Sequence, residues 1–395
     1  MADGIVMART GLADLMALLR KESVFLSPSS PLSHPRLAER LDAGRPSGIP
    51  MPSDSASMAL FKESLPALSN PEMKFILRTG GGSSPMAEET ICLAKGAKPA
   101  GLIVEGVDAL IVLYADEGAV ADGFLGLHAS RTQEVSPNLI PPLTDTGGFL
   151  CLLNAIDMYR RSYYASMLSC LPQTEPGVAA EVFLKDMTRV LETRDVRWLL
   201  GAFTALMPNL PMNREYPDPV RVLLDAGLCR MMKDKAGKPW LQFTDAGKAL
   251  GVEFERTWLT CAGYSLAGIA GGREFTVGSG FIAPTAVTNH VMTPAMENGN
   301  PCINHQAFYT DQVKAMWMDL FGAGWKLVQS GGPPPEVMPV ETPNPPSMQA
   351  AAHPSVQHAD QPAAQPAPSS RFCAFCGKPL EANSRFCDSC GKPVA

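Results

Sequence analysis

Two copies of one short phrase close the chain. RFCAFCGKPL (371–380) returns fourteen residues later as RFCDSCGKPV (385–394). Each copy carries two cysteines at C-x-x-C spacing, which sets both sulfurs on one tight turn. The following glycine, Gly377 or Gly391, supplies the positive φ that closes the turn. Cys373, Cys376, Cys387 and Cys390 together offer four soft ligands in a tetrahedron, the donor set of one Zn²⁺. A stretch of about 25 residues has too little core to fold unaided, so metal binding would be its folding energy. Four thiolates leave no open coordination position, which makes the expected zinc structural rather than catalytic. Rubredoxin-like iron is the competing metal, and the short loop between the knuckles argues against it.

This pattern resembles the bacterial zinc-ribbon domain family, in which paired FCxxCG knuckles close a small β-hairpin module. The resemblance covers 371–395 only. It implies Phe372, Phe386, Leu380 and Val394 as a miniature core. Four basic side chains (Arg371, Lys378, Arg385, Lys392) outnumber two acidic ones (Glu381, Asp388), and four thiolates around Zn²⁺ carry two net negative charges. The loaded module is therefore near neutral, a poor electrostatic footprint for nucleic acid. A protein partner suits it better.

Segment 331–370 contains no Lys or Arg and is crowded with Pro, Ala, Gln and Ser. It cannot bury enough apolar surface to offset ordering entropy, so a disordered linker is expected. Such a tether would hold the ribbon about 35 Å from the body. The chain has 395 residues, 46% of them hydrophobic, enough for a body of two domains. A net charge of -6 argues against general nucleic-acid or anionic-membrane binding. The N-terminus lacks the pattern of a signal peptide, and the longest apolar run falls far below the roughly 20 residues of a membrane span, so a cytoplasmic protein without membrane insertion is expected. Cys92, Cys151, Cys170, Cys229, Cys261 and Cys302 share no spacing and read as buried thiols.

The expected fold class is α+β. Residues 1–72 read as an N-terminal helix (about 11–20) followed by an irregular segment. Residues 73–146 read as an antiparallel β-rich domain with helices against one face. Its strands are KFILRT (74–79), ETICLA (89–94), GLIVEG (101–106) and DALIVLYA (108–115), with a tight hairpin at 106–108. Residues 147–330 read as mainly helical. Helices are expected from 147, over 180–191 and 195–207, and finally over 306–321, with a shorter β-leaning stretch at 273–293. Segments 73–94 and 273–293 share a strand–Gly loop–strand shape, a faint internal repeat.

Within the helical part, 219–250 resembles the second half of a winged-helix domain: a helix ending in Ala226-Gly227-Leu228, a charged Gly turn at 235–237, a strand at 240–243, then Thr244-Asp245-Ala246-Gly247 opening a helix. Thr244 is the expected N-cap. The would-be recognition helix offers only Arg221 as a basic reader. TDTGG (144–148) contains the Asp-Thr-Gly of aspartic proteases, but their chemistry needs two aspartates and no second copy is present, so Asp145 is expected to cap a helix. TGGGSS (79–84) lacks a Walker lysine and reads as a hairpin loop. His128, His290 and His305 have no partners at metal spacing, and Asn289-His290 and Asn304-His305 read as loop polar residues. Met316 and Met318, flanking Trp317, read as core or partner-facing.

No catalytic or cofactor-binding residues emerge. The reading that follows is a non-enzymatic, zinc-binding adaptor or regulator whose tethered ribbon meets another protein. The alternatives are a winged-helix DNA-binding regulator and an enzyme of unrecognised type.

Overall fold

The computed structural model describes residues 5–35, 49–81, 84–128, 139–170, 177–207, 220–254 and 260–333, with positions 37, 39 and 210. The chain divides into two compact units, Met1–Glu336 and Val337–Ala395. The second unit, with the expected ribbon and most of the linker, lies outside the described residues.

The four expected strands form as β2 (Met73–Gly81), β3 (Ser84–Leu93), β4 (Ala100–Glu105) and β5 (Asp108–Tyr114), each antiparallel to the next. Gly106 adopts φ +63° in the two-residue link between β4 and β5, which puts Glu105 opposite Asp108. A second meander follows far downstream: β10 (Cys261–Ala270), β11 (Arg273–Pro284), β12 (Asn289–Glu297) and β13 (Asn300–Phe308). β2 and β10 pair antiparallel and join the two meanders. Two short strands finish the edges. β1 (Ile5–Gly11) lies on β5, and β6 (Leu143–Asp145) lies on β13.

The resulting ten-stranded sheet runs β1-β5-β4-β3-β2-β10-β11-β12-β13-β6. Read from either edge inwards, the order of roles is the same: edge strand, then a meander traversed backwards. An internal repeat is therefore present, with β2–β3 corresponding to β10–β11. Segment 273–293 instead holds β11 and the start of β12, one strand out of phase with the expected match. Segments 73–146 and 147–330 both contribute strands to this one sheet.

Each edge strand runs straight into a helix, and each meander runs into another. β1 leads into α1 (Leu12–Lys21), and β5 is followed by α3 (Glu117–His128), with α2 (Ser55–Ser69) preceding β2. β6 leads into α4 (Thr146–Ser169), and β13 is followed by α9 (Thr310–Gln329). Between α4 and β10 the second repeat carries an insertion: β7 (Gly177–Ala179), α5 (Ala180–Thr193), α6 (Leu199–Leu206), α7 (Arg221–Asp225), β8 (Cys229–Lys233), β9 (Pro239–Phe243) and α8 (Asp245–Glu253). Its strands form a separate three-stranded sheet in the order β7-β9-β8.

Helices cover both faces of the large sheet, not one face as expected. On one face α3 and α9 pack together over the seam. Trp317 of α9 is fully buried, with ring centroids 5.0 Å from Phe75 (β2), 5.6 Å from Tyr264 (β10) and 4.9 Å from Phe124 (α3). A single indole thus touches strands from both repeats. Truncating an aromatic of this kind costs about 3–5 kcal/mol. On the opposite face α1 and α2 bury Leu12, Leu15, Phe61 and Leu65 against the first repeat, and α4 and α6 bury Phe149 and Phe203 against Phe281, Met292 and Ile303 of the second.

Several elements depart from the sequence reading, β10 and β13 among them. β1 precedes the expected helix where no element was expected, and α2 forms in the part read as irregular, despite an internal Pro66. Residues 306–308, read as the start of the last helix, belong to β13, and α9 runs on to Gln329. Five of the six body cysteines are buried, as expected, but Cys170 is exposed at the left-handed C-cap of α4. Among the described residues no helix is long and apolar enough to cross a membrane.

Candidate functional site

The residues singled out from sequence divide into helix caps, turns and a buried cluster. Asp145 caps α4 as expected, its Oδ1 accepting from the Gly148 amide at 2.9 Å. Thr244 caps α8 through the Gly247 amide at 3.2 Å, and its hydroxyl donates to the Gly227 carbonyl. Of the TGGGSS segment, residues 79–81 end β2 and Ser84 opens β3, with Gly81 opposite Ser84, and 82–83 lie outside the described residues. His128 ends α3. Arg221 stands on a five-residue helix and is engaged with Asp225 at 3.2 Å.

His290 and His305 are not loop residues. They sit on β12 and β13, with relative exposures of 3% and 0%. The hairpin register pairs His290 with Ala307 and Met292 with His305, so the two imidazoles are diagonal neighbours on one face. His290 Nδ1 lies 2.8 Å from His305 Nε2, and His290 Nε2 lies 2.9 Å from Glu253 Oε1 at the end of α8. In the tautomer that carries the His290 proton on Nε2, that nitrogen donates to Glu253 and Nδ1 accepts from His305 Nε2–H. Phe254 packs against His290 with centroids 4.4 Å apart and the rings tilted by 35°. Burial, aided by the neighbouring His290, pushes the His305 imidazole down to about 3. The cluster ties α8 to the sheet.

A second buried polar tie was not singled out from sequence. Asp157 and Arg160 lie one helical turn apart on the buried face of α4, 0% and 2% exposed, with Arg160 Nη1 3.0 Å from Asp157 Oδ1. The Asp157 carboxylate also accepts from the Leu199 and Leu200 amides, each at 2.9 Å. It therefore caps α6 from a different helix. Burial raises the Asp157 carboxyl, while Arg160 and the two amides pull it back. The signal in the sequence was a D-x-x-R pair inside an otherwise apolar helical stretch. Nearby Cys261 is pushed up to about 12 by burial, so its thiol stays protonated.

The four cysteines at 373, 376, 387 and 390 lie outside the described residues. A family model described as zinc-ribbon domain matches residues 372–394 and so contains all four. The chain carries a zinc-ribbon domain at its C-terminal end, and such a domain implies zinc binding. No curated protein matches the chain. The thiol donor set fits the metal: two C-x-x-C pairs, each followed by Gly-Lys-Pro, would supply four soft ligands.

Proposed function

We propose that this chain is a zinc-dependent adaptor. One Zn²⁺ held by Cys373, Cys376, Cys387 and Cys390 folds a ribbon over 371–395, and that ribbon engages another protein. The observation that carries this reading is the doubled C-x-x-C-G-K-P phrase inside the zinc-ribbon match. The metal does no chemistry on a substrate, because all four positions are taken by thiolate. Its work is to fold a stretch too short to fold alone, and the near-neutral charge of the loaded module suits a protein surface better than a phosphate backbone.

Metal analysis of the purified full chain tests the first half of this reading. We expect one zinc per chain, and none in a Cys373→Ser/Cys376→Ser variant whose body melts unchanged. Retention of one zinc by that variant sinks the ligand assignment. Unchanged partner binding after deletion of 333–395 sinks the ribbon's role.

A second reading, a winged-helix-like DNA-binding regulator, draws on the β7-β9-β8 order of the small sheet and the Thr244 cap. It expects salt-dependent DNA affinity that is lost on changing Arg221, Lys233 and Lys235. The ion pair between Arg221 and Asp225 weighs against it.

A further inference from the structure

The large sheet has a fork in it. β11 and β12 pair only from Phe281 with Met292 to Pro284 with Asn289. Beyond that, β11 runs back to Arg273 bonded to β10 alone, and β12 runs on to Glu297 bonded to β13 alone. The chemical reason stands two residues past the last pair. Pro294 has no N–H, and a proline inside a sheet is tolerated where its nitrogen faces no partner strand. Along 273–280, alternate N–H and C=O groups of β11 therefore face the fork without a strand partner among the described residues.

A cavity opens on each face of the sheet at this fork. One, of about 420 Å³, is mostly apolar and includes Tyr264, Gly278, Pro294, Met316 and Leu320. The other, of about 730 Å³, is more polar and includes Arg78, Arg194, Thr204, Ser265 and Thr276. Ser279 and Pro294 line both. Two cations on the polar side are compensated: Arg78 by Glu88, and Lys74 by Glu274. Arg194 has no ion pair among the described residues, so this side carries one surplus positive charge.

We propose that the fork binds an extended segment of another protein, added antiparallel to the free edge of β11. An unpaired row of donors and acceptors is matched by a backbone in the same extended state, and pockets on alternate faces read alternate side chains. The side chains that fit are apolar toward Met316 and Leu320 and carboxylate toward Arg194. The occupant is thus a proline-free stretch in which apolar and acidic residues alternate.

The test is to pan a phage-displayed library of random dodecapeptides on the zinc-loaded full chain, then measure the enriched peptides by fluorescence anisotropy and hydrogen exchange. We expect enriched peptides with apolar–acidic alternation, slowed exchange across 273–280 on binding, and an affinity loss of about tenfold or more when alternate peptide amides are N-methylated. Arg194→Glu on the exposed rim should lower affinity by a similar factor. Gly278→Leu should do the same by filling the apolar pocket, since its Cβ would sit 2.8 Å from the movable Cδ1 of Leu320. Should either variant fail to fold, N-methylation of the peptide tests pairing on the unaltered protein. No enrichment, protection mapping elsewhere, or tolerance of N-methylation overturns the proposal. So does concentration-dependent protection of 273–280 without peptide, which would assign the fork to a second copy of this chain.

Discussion

The two repeats share a plan and differ in what they bury. The first keeps to the plan, with a ten-residue α1 after its edge strand and a core of Leu, Phe and Ile. The second starts from a twenty-four-residue α4 and accepts the insertion from β7 to α8 before its meander begins. Among the described residues, the buried Asp157, Arg160, His290 and His305 all belong to the second repeat. Both clusters fasten inserted helices: Asp157 holds the start of α6, and His290 holds the end of α8. Apolar packing is not directional, so it can bring a helix to the sheet without fixing its rotation or its rise. The polar ties fix both, at the cost of desolvating charge.

The comparison breaks most readily at Asp157. Asp157→Ala leaves Arg160 buried without its counter-charge and strips two amides of their acceptor. Denaturant unfolding should show a loss of about 3–5 kcal/mol. Hydrogen exchange should quicken first in α6. Equal quickening in α1 and α2 would mean that the insertion is not held separately.

Acid tests the other tie. The His305 imidazole titrates at about 3 in the folded chain and near 6.5 when unfolded. Between those values the unfolded state binds more protons, so stability rises with pH. The contribution is complete above the unfolded value and is lost as pH falls toward 3. By pH 4 the loss should reach roughly 2–4 kcal/mol, and His305→Leu should flatten that part of the profile. Urea midpoints measured across pH 4–7 check it.

A pair of glycines sharpens the contrast at smaller scale. A Cβ on Gly263 of β10 would collide with the Leu206 backbone carbonyl of α6, whereas one on Gly101 of β4 would meet the flexible end of Glu89. Gly263→Ala should cost about 1–3 kcal/mol and Gly101→Ala less. The smallest effect is expected at Lys314, whose ammonium lies 2.6 Å from Asp122 and links α9 to α3 across the repeats. Both partners are well exposed, so Lys314→Ala should shift stability by under about 1 kcal/mol.

Sequence patterns revealed the first meander because its strands are apolar runs bounded by glycine or proline. They did not reveal β10, CAGYSLAGIA, because its composition is set by neighbours. Gly263 makes room for α6, while Gly268 lies under Phe275 and Gly280 under Tyr264 across the ladder. Small residues chosen for close approach look like loop in one dimension. The histidine pair was illegible for a related reason. Fifteen residues of separation become 2.8 Å only through the β12–β13 register. Asp145 and Thr244 were legible because a cap needs only its own next turn. The zinc-ribbon domain was legible because its cysteine spacing is local.

The β2–β10 seam has a consequence for the dissection of the chain. A half-length polypeptide holding one repeat would end at an open strand, and the partner that fits this edge is another copy of itself, turned about. Cutting the chain between His128 and Leu139 should bring it to that condition: two fragments that each self-associate when made alone and find one another when made together, as size-exclusion chromatography of separate and mixed halves would reveal.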